Sequence, residues 1–286
     1  MTVSERNSVQ SPAQIVGRIE RLPQTRFHLK ARALVGTATF FDAFDALSIA
    51  YTLPVLIPLW KLGLKSVGAV ISIGYLGQTI GALLLGWMAE RRGRKFSLLI
   101  SVSILPVFSL LSALSWNYNS LVVFRFCQGI GLGGEVPVAA SYINEISKAK
   151  GRGRFVMLYE LNFTIGLLGA ALIGWWIVPH WGWRVMFLIG AAPAFLTLPL
   201  RSLLPESPRW LANRGRIEEA DLVVSEIEAE ASRGGAVELP APELTAYSPQ
   251  SKTRLQEFFD GIYLRRTLVI WVLWFSVYIA SISITT

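Results

Sequence analysis

Hydrophobic residues in this chain fall into long blocks, neither alternating as in a half-buried strand nor forming the narrow stripe of a surface helix. An α-helix rises 1.5 Å per residue, so about 20 apolar residues cross a hydrocarbon core of about 30 Å. Blocks of that length run Ala33–Trp60, Val67–Ala89, Phe96–Ser115, Ser120–Ser147, Phe155–Val178 and Trp183–Leu204. A seventh covers Arg266–Thr286. The pattern predicts an all-α membrane protein. Residues 1–32 form a polar tail, mobile or interfacial; 33–204 a six-helix transmembrane bundle; 205–265 a central polar loop; 266–286 a seventh transmembrane helix. Within the loop, "RIEEADLVVSEIEAEA" has the spacing of a short amphipathic helix, followed by a Gly/Pro-rich link.

Composition agrees with lipid as the solvent. Hydrophobic residues make up 52% and charged ones 16%, against about 25% charged in soluble domains. Cys127 is alone, and His28 and His180 are far apart, so neither a disulfide framework, a metal cluster nor Ser-His chemistry has material to use. The reading implies no metal and no cofactor. A net charge of +8 raises the question of nucleic acid, and the distribution of the charge answers it. Of 27 Lys and Arg, 23 lie in the tail, in "RRGRK", in "KAKGRGR" and between Arg201 and Arg266, all on one side if the spans alternate. Only Lys61, Lys65 and Arg184 fall on the other. Basic loops stay in the cytoplasm, which puts the N-terminus and the central loop inside a plasma membrane, the inner membrane if the source is bacterial. No early apolar core marks a secretory signal. Trp116, Tyr118, Trp181 and Trp183 form the aromatic belt at the outer ends.

In "RFCQGIGLGGEVPVAASYINE", Gly129, Gly131 and Gly134 have the spacing G-x-G-x-x-G of a dinucleotide-binding turn. That turn needs a strand before it and a helix after it; here the glycines sit inside a membrane-length block. Small residues so placed let helix backbones approach closely in lipid. They are expected to be a packing face.

Charges inside spans cost about 2.5–3.5 kcal/mol each on insertion scales, and persist when paired or facing a wet pathway. Asp42 and Asp45 are three apart and share a helical face. Asp45, about 18 Å from a cytoplasmic end near Ala33, reaches a depth similar to that of Arg125 in the fourth span, which makes an ion pair reasonable. Two readings stand for the pair: a proton acceptor tuned by Arg125, or a static contact that fixes packing. Asp42 either shares the proton or faces a cytoplasmic vestibule. Glu135, beside the kinking Pro137, either contacts substrate or pairs with another helix. Glu160 and Asn162 face the pathway, or Glu160 pairs with Arg152 or Arg154. Gln78 and Gln128 are further pathway candidates, each equally suited to a helix-to-helix hydrogen bond.

Three stretches carry a family resemblance. "GWMAERRGRK" resembles the signature loop of the major facilitator superfamily, G-x-x-x-[DE]-R-x-G-R-[RK], between the second and third spans. "RFCQGIGLGGEVPVAASYINE" with the following "RGR" resembles the fourth span of the branch containing sugar porters, aromatic-acid symporters and organic-ion transporters. "PESPRW" matches that branch's motif after the sixth span. The resemblance implies a secondary transporter working by alternating access, with a small-molecule substrate and a proton as partners. It implies a cytoplasmic gate network of Glu90, Arg91, Arg94, Glu145, Arg152 or Arg154, Glu206 and Arg209, with Gly86 giving close helix contact and Gly93 a tight turn. Asp45 matches the branch's proton-coupling acid, with Arg125 as its partner. The "D-x-x-D" spacing is closer to aromatic-acid symporters; Glu160 stands where sugar porters place a substrate-binding glutamine, and "WVLWFSVYIASISITT" lacks their Q-Q-x-x-G-x-N.

The resulting expectation is a proton-coupled symporter of a small organic or aromatic acid. The alternatives are a facilitative sugar or polyol carrier, and a truncated, non-transporting membrane receptor or assembly partner. Family members have twelve spans, so a seven-span chain is expected to be a fragment that needs the second half to transport. No enzymatic activity is expected.

Overall fold

The computed structural model describes residues 11–233, 239–242 and 259–285. Helices dominate it: α1 (Pro12–Arg21), α2 (Arg26–Trp60), α3 (Leu64–Arg92), α4 (Arg94–Ala113), α5 (Tyr118–Ile146), α6 (Arg152–Trp181), α7 (Arg184–Gly190), α8 (Thr197–Leu203), α9 (Pro208–Asn213), α10 (Ile217–Arg233) and α11 (Gly261–Thr285). Six of them, α2 to α6 and α11, are long and apolar enough to cross a membrane. α11 belongs to a second unit of the chain and is a helix of 25 residues that covers the predicted seventh span up to Thr285.

Short turns separate the long helices, and α2, α3 and α6 run a few residues past their apolar blocks. α3 turns into α4 at Gly93, which has φ +111°, a conformation that residues with a Cβ rarely adopt. α5 starts on a capping box. Asn117 accepts from the Ser120 backbone N–H at 2.8 Å, and the Ser120 hydroxyl accepts from Asn117 N–H at 3.2 Å. α5 packs extensively on α3 and α4, and α2 packs on α6. The α3–α5 contact is backbone to backbone. A Cβ added at Gly77 would lie 2.2 Å from the Phe126 carbonyl, at Gly81 2.1 Å from that of Ile130, at Gly129 2.3 Å from that of Gly74, and at Gly133 1.9 Å from that of Gln78. Gly131 and Gly134 press on Leu105 and Leu85. The glycines of the G-x-G-x-x-G spacing are therefore a packing face.

Three expectations need correction. The predicted sixth span, Trp183–Leu204, is not one helix: α7 gives way to a 3-10 turn at Ala192–Leu196 before α8. Pro193 lacks the N–H that the ladder requires and crowds the preceding turn, and Gly190 supplies freedom just before it. Gly86 makes no close helix contact among the described residues, since a Cβ there meets nothing within 4 Å; the approach is made by Gly77 and Gly81, one face round.

The tail is the third. Residues 1–10 lie outside the described residues, but Pro12–Arg21 is a helix packed onto α9 and α10, and α2 already begins at Arg26. Ser11 and Gln14 cap α1 reciprocally, at 3.3 and 2.7 Å, with Pro12 at its first position. Ile15 and Ile19 then bury against Trp210, Leu211, Ala220 and Val224, a small second core at the end of the bundle. The amphipathic helix of the central loop exists as α10. Most of the Gly/Pro-rich link lies outside the described residues.

Candidate functional site

Midway along α2 and α5 the apolar blocks carry their polar residues inward, against each other. Asp45 has no exposed surface. Arg125 Nη1 donates to its Oδ2 at 3.0 Å, Gln128 Nε2 to its Oδ1 at 2.6 Å, and Ser109 Oγ from α4 to its Oδ1 at 3.4 Å. Arg125 and Gln128 are three apart on α5, so one helical face delivers both donors. The Gln128 oxygen in turn accepts from Arg125 at 3.2 Å and from Ser112 at 3.3 Å. The guanidinium stands over the Phe187 ring, 5.9 Å from its centre. Gly190, at the end of α7, leaves the room: a Cβ there would come within 2.6 Å of Ser109 Oγ and 3.0 Å of Asp45 Oδ1. The anticipated Asp45–Arg125 pair is thus present, and the broken sixth span helps to form its pocket.

Asp42, one turn earlier, is turned elsewhere. It is 4% exposed and opposes Glu135, itself 1% exposed, so it does not open onto a vestibule. Glu135 accepts from the Thr39 hydroxyl at 3.0 Å, and Thr39 also meets the Tyr159 hydroxyl of α6 at 2.8 Å. The inner polar layer is therefore Asp42, Glu135, Thr39 and Tyr159. Other pathway candidates lie outside it. Glu160 follows Tyr159 in sequence but points to the exposed face of α6. Asn162 bonds the Tyr159 carbonyl at 2.9 Å and packs over Gly36. Gln78 is half-buried, and its backbone forms the seat of Gly133.

A second cluster closes the end of the bundle that carries the basic loops. Arg94 reaches Glu145 Oε1 through Nε at 3.0 Å and Nη2 at 2.9 Å, and Glu90 at 2.7 Å. Glu206 accepts the backbone N–H groups of Arg94 (2.9 Å) and Lys95 (3.1 Å) at the start of α4, where helix N-termini favour anions, and that of Ser207 (2.9 Å) just before α9. Burial nonetheless holds the Glu206 carboxyl above its ordinary range, outweighing those three donors. Gly93 completes this cradle, since a Cβ there would strike the Glu206 carboxylate at 2.0 Å. Arg209 donates to the Glu145 carbonyl at 2.8 Å and to Glu20 at 2.5 Å; Arg152 reaches Glu20 at 3.5 Å. Two expected members stand outside: Arg91 stacks over Trp87 at 4.2 Å, and Arg154 is exposed, which leaves Arg152 as the arginine of "RGR" in contact.

Glu20 was not anticipated. It sits on α1, and burial tends to raise its pKa; the Ala149 N–H and Arg209 outweigh this and hold it below the ordinary value. The signal was in the sequence: Ser11-Pro12-x-Gln14 is a helix start, and Glu20 follows on the helix it opens. Ser109, Ser112, Thr39 and Tyr159 carried no such signal, because hydroxyls inside apolar blocks usually bond their own helix.

Comparison with known proteins agrees with this architecture. The model of the family described as "Sugar (and other) transporter" matches residues 38–282. The chain belongs to that family, whose members are transporters and not enzymes. Among curated relatives it is 35% identical over 272 residues to the niacin transporter NiaP of Acinetobacter baylyi, covering 95% of this chain and 61% of the relative. It is 31% identical to the 4-hydroxybenzoate transporter PcaK of the same organism, covering 90% and 56%. It is 30% identical to a gallate transporter of Pseudomonas putida, covering 93% and 59%. The chain thus spans about 60% of the length of these relatives. Its fold matches that of the xylose transporter XylE from E. coli in a partially occluded inward-open conformation, with TM-score 0.63 and 24% identity, over 73% of this chain and 60% of that one. The likeness identifies the N-terminal half of a major facilitator bundle followed by a further helix.

Proposed function

We propose that this member of the sugar-and-other-transporter family forms the N-terminal half of a proton-coupled symporter for a small aromatic or organic acid. The observation that carries the reading is Asp45, without exposed surface, held by Arg125 and Gln128 in the middle of two apolar helices. An ionised carboxylate in that position depends on its cation. A proton arriving on Asp45 releases Arg125, and a released guanidinium is a bidentate partner for a substrate carboxylate. Proton and anion therefore enter the site together. The relatives that transport niacin, 4-hydroxybenzoate and gallate support the substrate class, since each is named for a small aromatic compound that carries or corresponds to a carboxylic acid.

In this reading the Arg94–Glu145–Glu206–Arg209 cluster lies at the cytoplasmic end, as does the N-terminus, and acts as a latch that opens and closes during alternating access. Partly exposed ion pairs of about 0–1 kcal/mol each suit a contact that must be remade every cycle. The other wall of the pathway comes from a second half, which transport requires.

The test is uptake of labelled nicotinate and 4-hydroxybenzoate by cells expressing the whole reading frame. Uptake is expected to rise with an inward proton gradient and to alkalinise the medium; Asp45→Asn abolishes the dependence on the gradient. Uptake that ignores the gradient in both forms identifies a facilitative carrier and overturns the coupling role.

A further inference from the structure

Asp42 on α2 and Glu135 on α5 present a chemical problem that the Asp45–Arg125 pair does not solve. Both are buried, 4% and 1% exposed, and neighbour each other where α2 meets α5, with Thr39 of α2 bonded to Glu135. Asp42 Oδ2 and Glu135 Oε2 are both buried, and neither has a donor. An ionised carboxylate only accepts, so two of them facing each other leave both oxygens unsatisfied with like charges in contact.

The surroundings offer no remedy. The titratable groups nearby are Asp45, three residues on along α2, and Tyr159 and Glu160 on α6. Arg125 spends its charge on Asp45. The Tyr159 hydroxyl meets Thr39, whose own hydroxyl already serves Glu135 Oε1. Among the described residues no basic side chain bonds either orphan oxygen. Nor do three or more His, Cys, Asp or Glu side chains gather as a metal site among the described residues.

From this geometry we infer that Asp42 and Glu135 hold one proton between them, as a carboxyl donating to a carboxylate, and so form a second proton site one helical turn from Asp45. One O–H between the two carboxyls supplies a donor where the pair has none and reduces it to a single negative charge. Glu135 then has a role other than contacting substrate: it completes a proton-holding pair whose far side is tied through Thr39 to Tyr159 on α6. The inference deepens the proton-coupled reading and rests on it for its meaning in transport. Its measurement does not, because it requires no flux.

The experiment is infrared spectroscopy of the chain in lipid nanodiscs at neutral pH, in H2O and D2O. The native protein is expected to show the C=O stretch of a buried protonated carboxyl, with a deuterium shift. The neutral, isosteric double variant Asp42→Asn/Glu135→Gln is expected to lose that band, while Asp45→Asn keeps it. If the double variant is not monodisperse, Glu135→Gln alone serves, because its amide supplies the missing donor and makes the shared proton unnecessary. A native protein without the band overturns the inference, as does a band unchanged in these variants. Sodium salt that abolishes the native band would show a cation site in place of a proton site, and overturns it equally. If instead Asp45→Asn leaves gradient-driven uptake intact while the band behaves as expected, the coupling reading fails and the shared proton stands.

Discussion

Arg125 and Asp45 are 80 positions apart in the chain and meet at 3.0 Å, both nearly without exposed surface. Neither could stay charged there alone. Removing one partner of a buried pair typically costs about 3–5 kcal/mol, because the other charge is left without compensation, whereas replacing both by neutral groups costs far less. Arg125→Met is therefore expected to destabilise the detergent-solubilised protein by about that amount, and Asp45→Asn/Arg125→Met to recover most of the loss. Thermal unfolding of the four proteins of this cycle checks it; simple additivity of the two single changes would show that the pair is not coupled.

The α3–α5 seam depends on the absence of side chains. Gly133→Ala places a methyl 1.9 Å from the Gln78 carbonyl, a backbone atom that cannot swing aside. Overpacking of this kind costs about 1–3 kcal/mol or more. Gly86→Ala, with open space around its Cβ, is expected to be neutral or slightly stabilising, since alanine is the better helix former by about 1 kcal/mol. The two melting temperatures, measured side by side, decide whether the seam or helix propensity dominates.

Arg94 makes a two-pronged contact with Glu145. A lysine has the charge but not the fork. Arg94→Lys is expected to keep the fold yet loosen this end of the bundle, whereas Glu145→Ala leaves Arg94 with Glu90 alone and costs about 1 kcal/mol. Accessibility of a cysteine introduced at Ser207 to a water-soluble reagent measures the loosening; equal labelling in Arg94→Lys and the parent would count against it.

The docking of α1 is sensitive to acid. Arg18 bonds Asp221 and Glu228, and Arg21 bonds Glu228 at 2.6 Å. Burial alone would raise Glu228, but the two arginines outweigh it and hold it below its ordinary 4.5. A depressed carboxyl stabilises the fold fully above its unfolded value and loses that contribution as pH falls through the folded one. Tail-to-loop docking is therefore expected to be intact at about pH 7 and to weaken only below about pH 4, with a smaller loss in Glu228→Gln, which is already weak at neutral pH and keeps only the Glu20 contribution. A spin label on Ala13, followed for mobility across that range, reports the change. Mobility independent of pH in the parent would mean that the Ile15 and Ile19 contacts alone hold the helix.

Much of this protein was legible in its sequence. Membrane-length blocks located α3 to α6 within a few residues, because lipid leaves a backbone little choice except to satisfy its hydrogen bonds within one helix. A charge surrounded by such a block must find a partner, so Asp45 and Arg125 could be matched by depth alone. Even α1 had announced itself through Ser11, Pro12 and Gln14, in a stretch whose polarity instead suggested a tail.

What only the tertiary structure decided was direction around each helix. Asp42 and Asp45 share a face on paper, yet one meets Glu135 and the other Arg125, since the small offset between residues three apart suffices to send them to different neighbours. Hydropathy could not foresee that Gly190 and a broken sixth span would make room for the Asp45 site, or that the glycines of contact would be Gly77 and Gly81. A sequence records which side chains are costly in lipid. Which atoms relieve that cost depends on the rotation and crossing of packed helices, and these are set jointly by contacts spread along the whole bundle.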